Sequence, residues 1–183
     1  MDLEGFAYPD LTASLDTPER LAAIPPELTI RGWVINAAAR RLGLDATPRS
    51  GFRAFPLLDF VEMLGNVAEL PGDPGRRLRD AGIAVGHAFR DQRVGKLVLT
   101  LAGDDLSRII HAAPRIYRMG ANFGEAEAVE LGPRRYLVRL RNVWAHHPYL
   151  YGLLEGFCHI WEPNARVTYR RHALDGCDFI CEW

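Results

Sequence analysis

The apolar positions of this chain follow two different periods. Up to about Asn122 they recur every three to four residues, the spacing of a helix with a buried side; beyond it they alternate, the spacing of a strand. In "DTPERLAAIPP", Asp16 or Thr17 caps a short helix that stops at Pro25-Pro26. From Thr29 to Leu42, residues Ile30, Trp33, Val34, Ile35, Ala37 and Ala38 are apolar on more than one side. That width predicts a helix central to its lobe, closed by Gly43, and also admits a homodimer. Between Pro56 and Leu70, Leu57, Phe60, Val61, Leu64 and Val67 make one helical face, with Asp59, Glu62, Asn66 and Glu69 opposite. "PGDPG" breaks the chain, and a helix from Pro74 to Asp91 follows, burying Leu78, Ala81, Val85 and Phe89. Its Gly82 and Gly86 stand one turn apart, which suits close helix packing or room for a ligand. "KLVLTLAG" adds a helical turn or two, although its composition also suits a strand. Asp104 or Asp105 then caps a helix reaching Arg118.

After Asn122, "EAEAVELGPRRYLVRLRNV" reads as two strands about Gly132-Pro133. A helix spans Pro148 to Trp161, and "ARVTYRRHAL" and "CDFICEW" make two more strands about Asp175-Gly176. The expected architecture is α+β in a single domain over residues 1–183: an irregular arm and short helix over 1–27, a helical part over 28–121, and a strand-strand-helix-strand-strand unit over 122–183. Its antiparallel sheet is covered by helices on one face.

The 183 residues are 48% hydrophobic, enough for one good core. A net charge of −1 exerts no global pull toward nucleic acid or anionic lipid. The apolar runs are too short to span a membrane, and "MDLEG" does not open a signal peptide, so the expected location is cytoplasmic. Lys96 is the only lysine, and arginine carries the remaining positive charge. Arg135, Arg139 and Arg141 point outward from one strand, with Arg166 and Arg170 on another. They form a solvated face paired with Glu125, Glu127, Asp178 or Glu182, or else a contact for a protein or an anion.

Three cysteines cannot make a complete disulfide framework. On a strand rising about 3.3 Å per residue, Cys177 and Cys181 lie roughly 13 Å apart on one face, too far to bridge or to share an ion. Cys158 can approach one of them from the preceding helix. Among the histidines, His111 falls on a polar stripe with Ser107, Arg108, Arg115 and Arg118, and His159 falls with Gly152, Glu155 and Gly156. His146-His147 reads as a surface loop before a helix, and His87 points either into a pocket or out. No nucleophile elbow, P-loop, dinucleotide fingerprint or H-E-x-x-H motif is present, and Cys158 and His159 diverge on their helix. The expectation is a non-enzymatic domain.

"LTIRGWVINAAARRLGLD", "FRAFPLLDFVEML", "PRIYRMGANFGEAEAVELGPRRYLVRLRN" and "YLYGLLEGF" resemble a family without an assigned activity, expanded as paralogues in myxobacteria. The terminal "DGCDFICEW" is similar to the closing strand of vinyl-reductase-type domains. The resemblance implies the fold shared by those domains, the haem nitric-oxide/oxygen binding (H-NOX) domains and subunits of the transport protein particle. It also implies a pocket between helices and sheet for a small hydrophobic ligand. The expected lining is Trp33, Phe60, Met63, Phe89, Tyr117, Phe123 and Phe157, with no cofactor, in a domain that serves signalling by binding a small molecule or a protein partner. A haem sensor with His111 or His87 as axial ligand is the alternative, and a scaffold with a filled core is the third. The Tyr-x-Ser-x-Arg motif of the haem-binding members is not supplied by "YRMGA" at Tyr117 or by "YRRHA" at Tyr169.

Overall fold

The change of period near Asn122 is the passage from helices to sheet in the computed structural model, which describes residues 3–11, 15–44, 47–103 and 105–183. The helical part contains α1 (Thr17–Ala23), α2 (Gly32–Leu42), α3 (Leu57–Gly65), α4 (Pro74–Asp91), α5 (Arg93–Ala102) and α6 (Leu106–Gly120), with the short strands β1 (Thr29–Arg31) and β2 (Ala54–Pro56). The sheet part follows as β3 (Glu125–Gly132), β4 (Arg135–Arg141), α7 (His147–His159), β5 (Arg166–Ala173) and β6 (Gly176–Glu182). The four strands pair antiparallel in the order β3-β4-β6-β5. Tyr136, Val138, Leu140, Cys177, Phe179 and Cys181 are buried together on the helix-covered face. The fold is α+β.

Two helices differ from the periodic reading. Thr29–Arg31 pairs as a strand with Ala54–Pro56, so α2 begins only at Gly32. A Cβ at Gly32 would run into the backbone carbonyl of Ser50 as well as the Phe55 ring, so this crossing requires glycine. The helix from Pro56 ends at Gly65, and Asn66–Glu69 tightens into a 3-10 turn. There α1 packs on α3, and a Cβ on Gly65 would lie 2.9 Å from Thr17 Oγ1. Asp16 stands at the N-cap of α1 without a capping hydrogen bond; its carboxylate is engaged by Arg20 instead. Asp105 caps α6, accepting from Ser107 N at 2.9 Å, while Asp104 and Ser14 lie outside the described residues, as do residues 1, 2, 12 and 13 of the arm. In the described part of that arm, Ala7 bridges Tyr169 and extends the sheet at β5.

The breadth of apolar surface on α2 is used within the chain, since Val34, Ile35, Ala38 and Leu42 are all buried and α4 packs against the helix. On the open face of the sheet the arginines pair across strands: Arg135 with Glu182 at 2.6 Å, Arg139 with Glu127 at 3.0 Å and Arg141 with Asp178 at 2.7 Å. Burial would raise the Asp178 carboxyl, but bonds from Arg141 and His172 hold it below its ordinary value.

The histidine pair departs furthest from expectation. His146 and His147 are 1% and 5% exposed and stand at the start of α7 rather than on a surface loop. The fully buried Arg20 draws them inward. Its guanidinium donates to Asp16 Oδ1 at 2.6 Å, to the carbonyls of Trp144 and Ala145 at 3.1 and 3.0 Å, and to His147 Nδ1 at 3.2 Å. His146 Nε2 lies 2.8 Å from Thr17 Oγ1.

Candidate functional site

The site is set by how α7 is held. Gly82 and Gly86 of α4 meet Gly152 and Gly156 of α7 backbone to backbone; a Cβ on Gly156 would lie 2.6 Å from Ile83 Cα, and one on Gly86 2.7 Å from Phe157 N. The side of α7 that carries Gly152, Glu155 and Gly156, polar by its composition, is therefore buried against α4. Glu155 is satisfied there by Arg79. His159, partly buried, donates to Ala165 O at 3.1 Å. On the sheet side of α7, Cys158 hydrogen-bonds Cys181, and that bond together with burial pushes the Cys181 thiol well above its ordinary range. Burial raises Cys177 to about 12, so all three thiols are buried and free.

The helix α6 packs on β3, leaving space between it, α4, α7 and the sheet. That space is a cavity of about 130 Å³. Trp33 of α2, Phe60 of α3, Phe89 of α4, Tyr117 of α6, Phe123 and Phe157 of α7 stand on its wall, with Val138 and Leu140 as its floor. Met63 does not: Leu57 and Phe60 turn toward the cavity, while Met63 lies further round α3 and packs partly buried elsewhere in the core. Tyr149 is a wall residue that the lining read from the sequence does not include. Its signal is the i, i+4, i+8 stripe it forms with Leu153 and Phe157.

Tyr149 is 2% exposed, and its ring stands edge-on to Phe60 at 5.4 Å between centroids; Tyr117 meets Phe123 the same way at 6.2 Å. Neither hydroxyl has a hydrogen-bond partner among the described residues. Burial raises both phenols above their ordinary value. Among the described residues the wall carries no His, Cys, Met, Lys, Arg or carboxylate. His111 lies outside it, with a side chain 54% exposed, set edge-on to Tyr136 and 4.0 Å from Glu130. His87 is exposed on α4. No group of three or more metal-ligating side chains occurs among the described residues.

The model of a family described as a protein of unknown function (DUF2378) matches residues 25–183. The chain belongs to the DUF2378 family. No curated protein matches it. Solved H-NOX structures do match this DUF2378 chain in fold. The H-NOX domain from Shewanella oneidensis in its Fe(II)CO state is 9% identical, with a TM-score of 0.64 over 84% of this chain and 98% of that one. An H-NOX protein solved to probe haem distortion in its family is 14% identical, with a TM-score of 0.60 over 82% and 84%. A mutant of the T. tengcongensis H-NOX protein is 12% identical, with a TM-score of 0.57 over 81% and 86%. At these identities the likeness is one of fold, and function does not follow from it. Among the described residues no helix is long and apolar enough to cross a membrane.

Proposed function

We propose that the protein is a binding domain for a small hydrophobic molecule held between α4, α6, α7 and the sheet. One observation carries this reading: a cavity of about 130 Å³ whose wall side chains among the described residues are apolar apart from two phenol hydroxyls and the indole N–H of Trp33. An apolar void of about this size, roughly 150 Å³, stays dry and takes a benzene-sized guest. An empty cavity forfeits the contacts its lining would otherwise make, and a guest of matching shape restores them. Among the described residues the wall carries no nucleophile–base pair, and its apolar lining supports a reading of binding rather than turnover.

Haem is named for the H-NOX neighbours, and this cavity does not fit it. Among the described residues the wall offers no imidazole, thiol or thioether as axial ligand, and no cation to meet propionates. Its tyrosines are held in the neutral form by burial. The volume is that of a single small ring, below the roughly 300 Å³ of an ordinary ligand pocket.

Titration with benzene, toluene and cyclohexane, followed by NMR and thermal melting, tests the reading. Saturable shifts of cavity-lining residues with a raised Tm are expected, as is no Soret shift on adding haemin. Failure of every small hydrocarbon to bind, or a stoichiometric Soret band, would overturn it.

A further inference from the structure

We propose that Tyr149, seconded by Tyr117, makes the cavity selective for a neutral molecule that carries one hydrogen-bond-accepting oxygen, a carbonyl or an ether, on a hydrocarbon body of six or seven heavy atoms (roughly benzene-sized). The inference rests on the cavity being a ligand site. It begins from what buried tyrosines ordinarily do, which is to find a partner for the O–H. Tyr151, two residues further along α7, does so: its hydroxyl donates to Val167 O at 3.1 Å. Tyr149 and Tyr117 make no such bond among the described residues, and neither oxygen is one of the wholly enclosed unpaired polar atoms, so each still borders open space. Both are wall residues of the same cavity. The missing partner is supplied by what enters.

The donor set fixes the polarity of the guest. A protonated phenol can accept as well as donate, and an acceptor oxygen on the ligand is the group that takes up its unpaired O–H. With no cation on the wall, a carboxylate or phosphate would be buried without a counter-charge, which costs far more than one hydrogen bond returns. With no anion there, an amine meets the same obstacle. The ligand is therefore neutral. The edge-on packing of Tyr149 against Phe60 holds the ring, so the hydroxyl is fixed before the ligand arrives.

Cyclohexanone and methylenecyclohexane have nearly the same shape and differ in the acceptor oxygen. Their affinities are to be measured on the full chain by NMR titration, for the wild type and for Tyr149→Phe and Tyr117→Phe. Tyr149→Phe is expected to weaken cyclohexanone about three- to tenfold while leaving methylenecyclohexane unchanged or tighter. If the substitution moves both ligands equally, or neither, the anchoring role is overturned and the apolar cavity stands. If neither ligand binds the wild type, the binding reading falls as well. Should Tyr149→Phe fail to melt cooperatively, the same comparison in Tyr117→Phe decides, with selective loss of the ketone expected and equal effects overturning the anchor.

Discussion

Arg79 of α4 and Glu155 of α7 meet in a two-pronged pair, Nε to Oε2 at 2.7 Å and Nη2 to Oε1 at 2.6 Å. The Glu155 side chain is 10% exposed and Arg79 is 32% exposed, so the carboxylate depends on this partner more than the guanidinium does. Glu155→Ala is expected to cost about 1–3 kcal/mol, between the worth of a surface pair and that of a fully buried one. Glu155→Gln, which keeps one acceptor, is expected to cost less. The shift of the urea midpoint in each variant measures this.

The same crossing reverses the usual sign of a glycine substitution. In an exposed helix, Gly→Ala gains about 1 kcal/mol from helix propensity. At Gly156 the added methyl would stand 2.6 Å from Ile83 Cα, and backbone cannot step aside as a side-chain tip would. Gly156→Ala and Gly86→Ala are each expected to destabilise by about 1–3 kcal/mol or more, as overpacking does. A neutral or raised midpoint would show that α4 and α7 do not cross at this distance.

Such contacts explain which parts of the structure were legible in the sequence. The bounds of α4 and the four strands of the sheet follow from local period and punctuation, Pro74 and Asp91 for the helix and Gly132 and Gly176 for the hairpins. The burial of Phe60, Phe89 and Phe157 was legible for a similar reason, since each sits on an apolar stripe. What local pattern could not show is pairing over long separations. Arg20 reads as an ordinary polar position of a short helix; its carbonyl partners at Trp144 and Ala145 come more than a hundred residues later. His147 is buried against Arg20 and His146 against Thr17 of the same short helix, so their burial was hidden with it. The strand over Thr29–Arg31 depends on Ala54–Pro56, and nothing within those three residues distinguishes it from a first helical turn.

That hidden cluster sets a pH dependence. Burial, aided by the charge on Arg20, holds His146 down to about 4 and His147 down to about 3, against an ordinary value of 6.5. As pH falls below 6.5 the unfolded chain takes up protons that the folded chain refuses, so stability declines with acidity. The decline continues until the folded histidines titrate near 4 and 3. Asp16 would be raised by burial but is held below its ordinary 3.8 by Arg20 and Arg171, so it adds its own loss only beneath that value. Between pH 7 and 4.5 the expected loss is on the order of 2 kcal/mol for each histidine, and roughly 5 kcal/mol for the two titrating independently. Denaturation midpoints across that range should flatten in His147→Gln, and an unchanged slope would assign the effect to other groups.

Filling the cavity separates stability from binding. Ala126 lies on the helix-facing side of β3 and on the cavity wall. Isoleucine suits a strand, and its extra carbons project into a void of about 130 Å³. Ala126→Ile is expected to stabilise the free protein by about 1 kcal/mol, as cavity filling commonly does. It should also abolish the Tm increase that toluene gives the wild type, because a ligand that binds only the folded state stabilises in proportion to its occupancy. Melting scans with and without toluene provide both readouts. Raised stability with undiminished toluene binding would place the ligand elsewhere. Lowered stability would mean that the wall around Ala126 has no room for the added carbons, and that the void does not reach this strand.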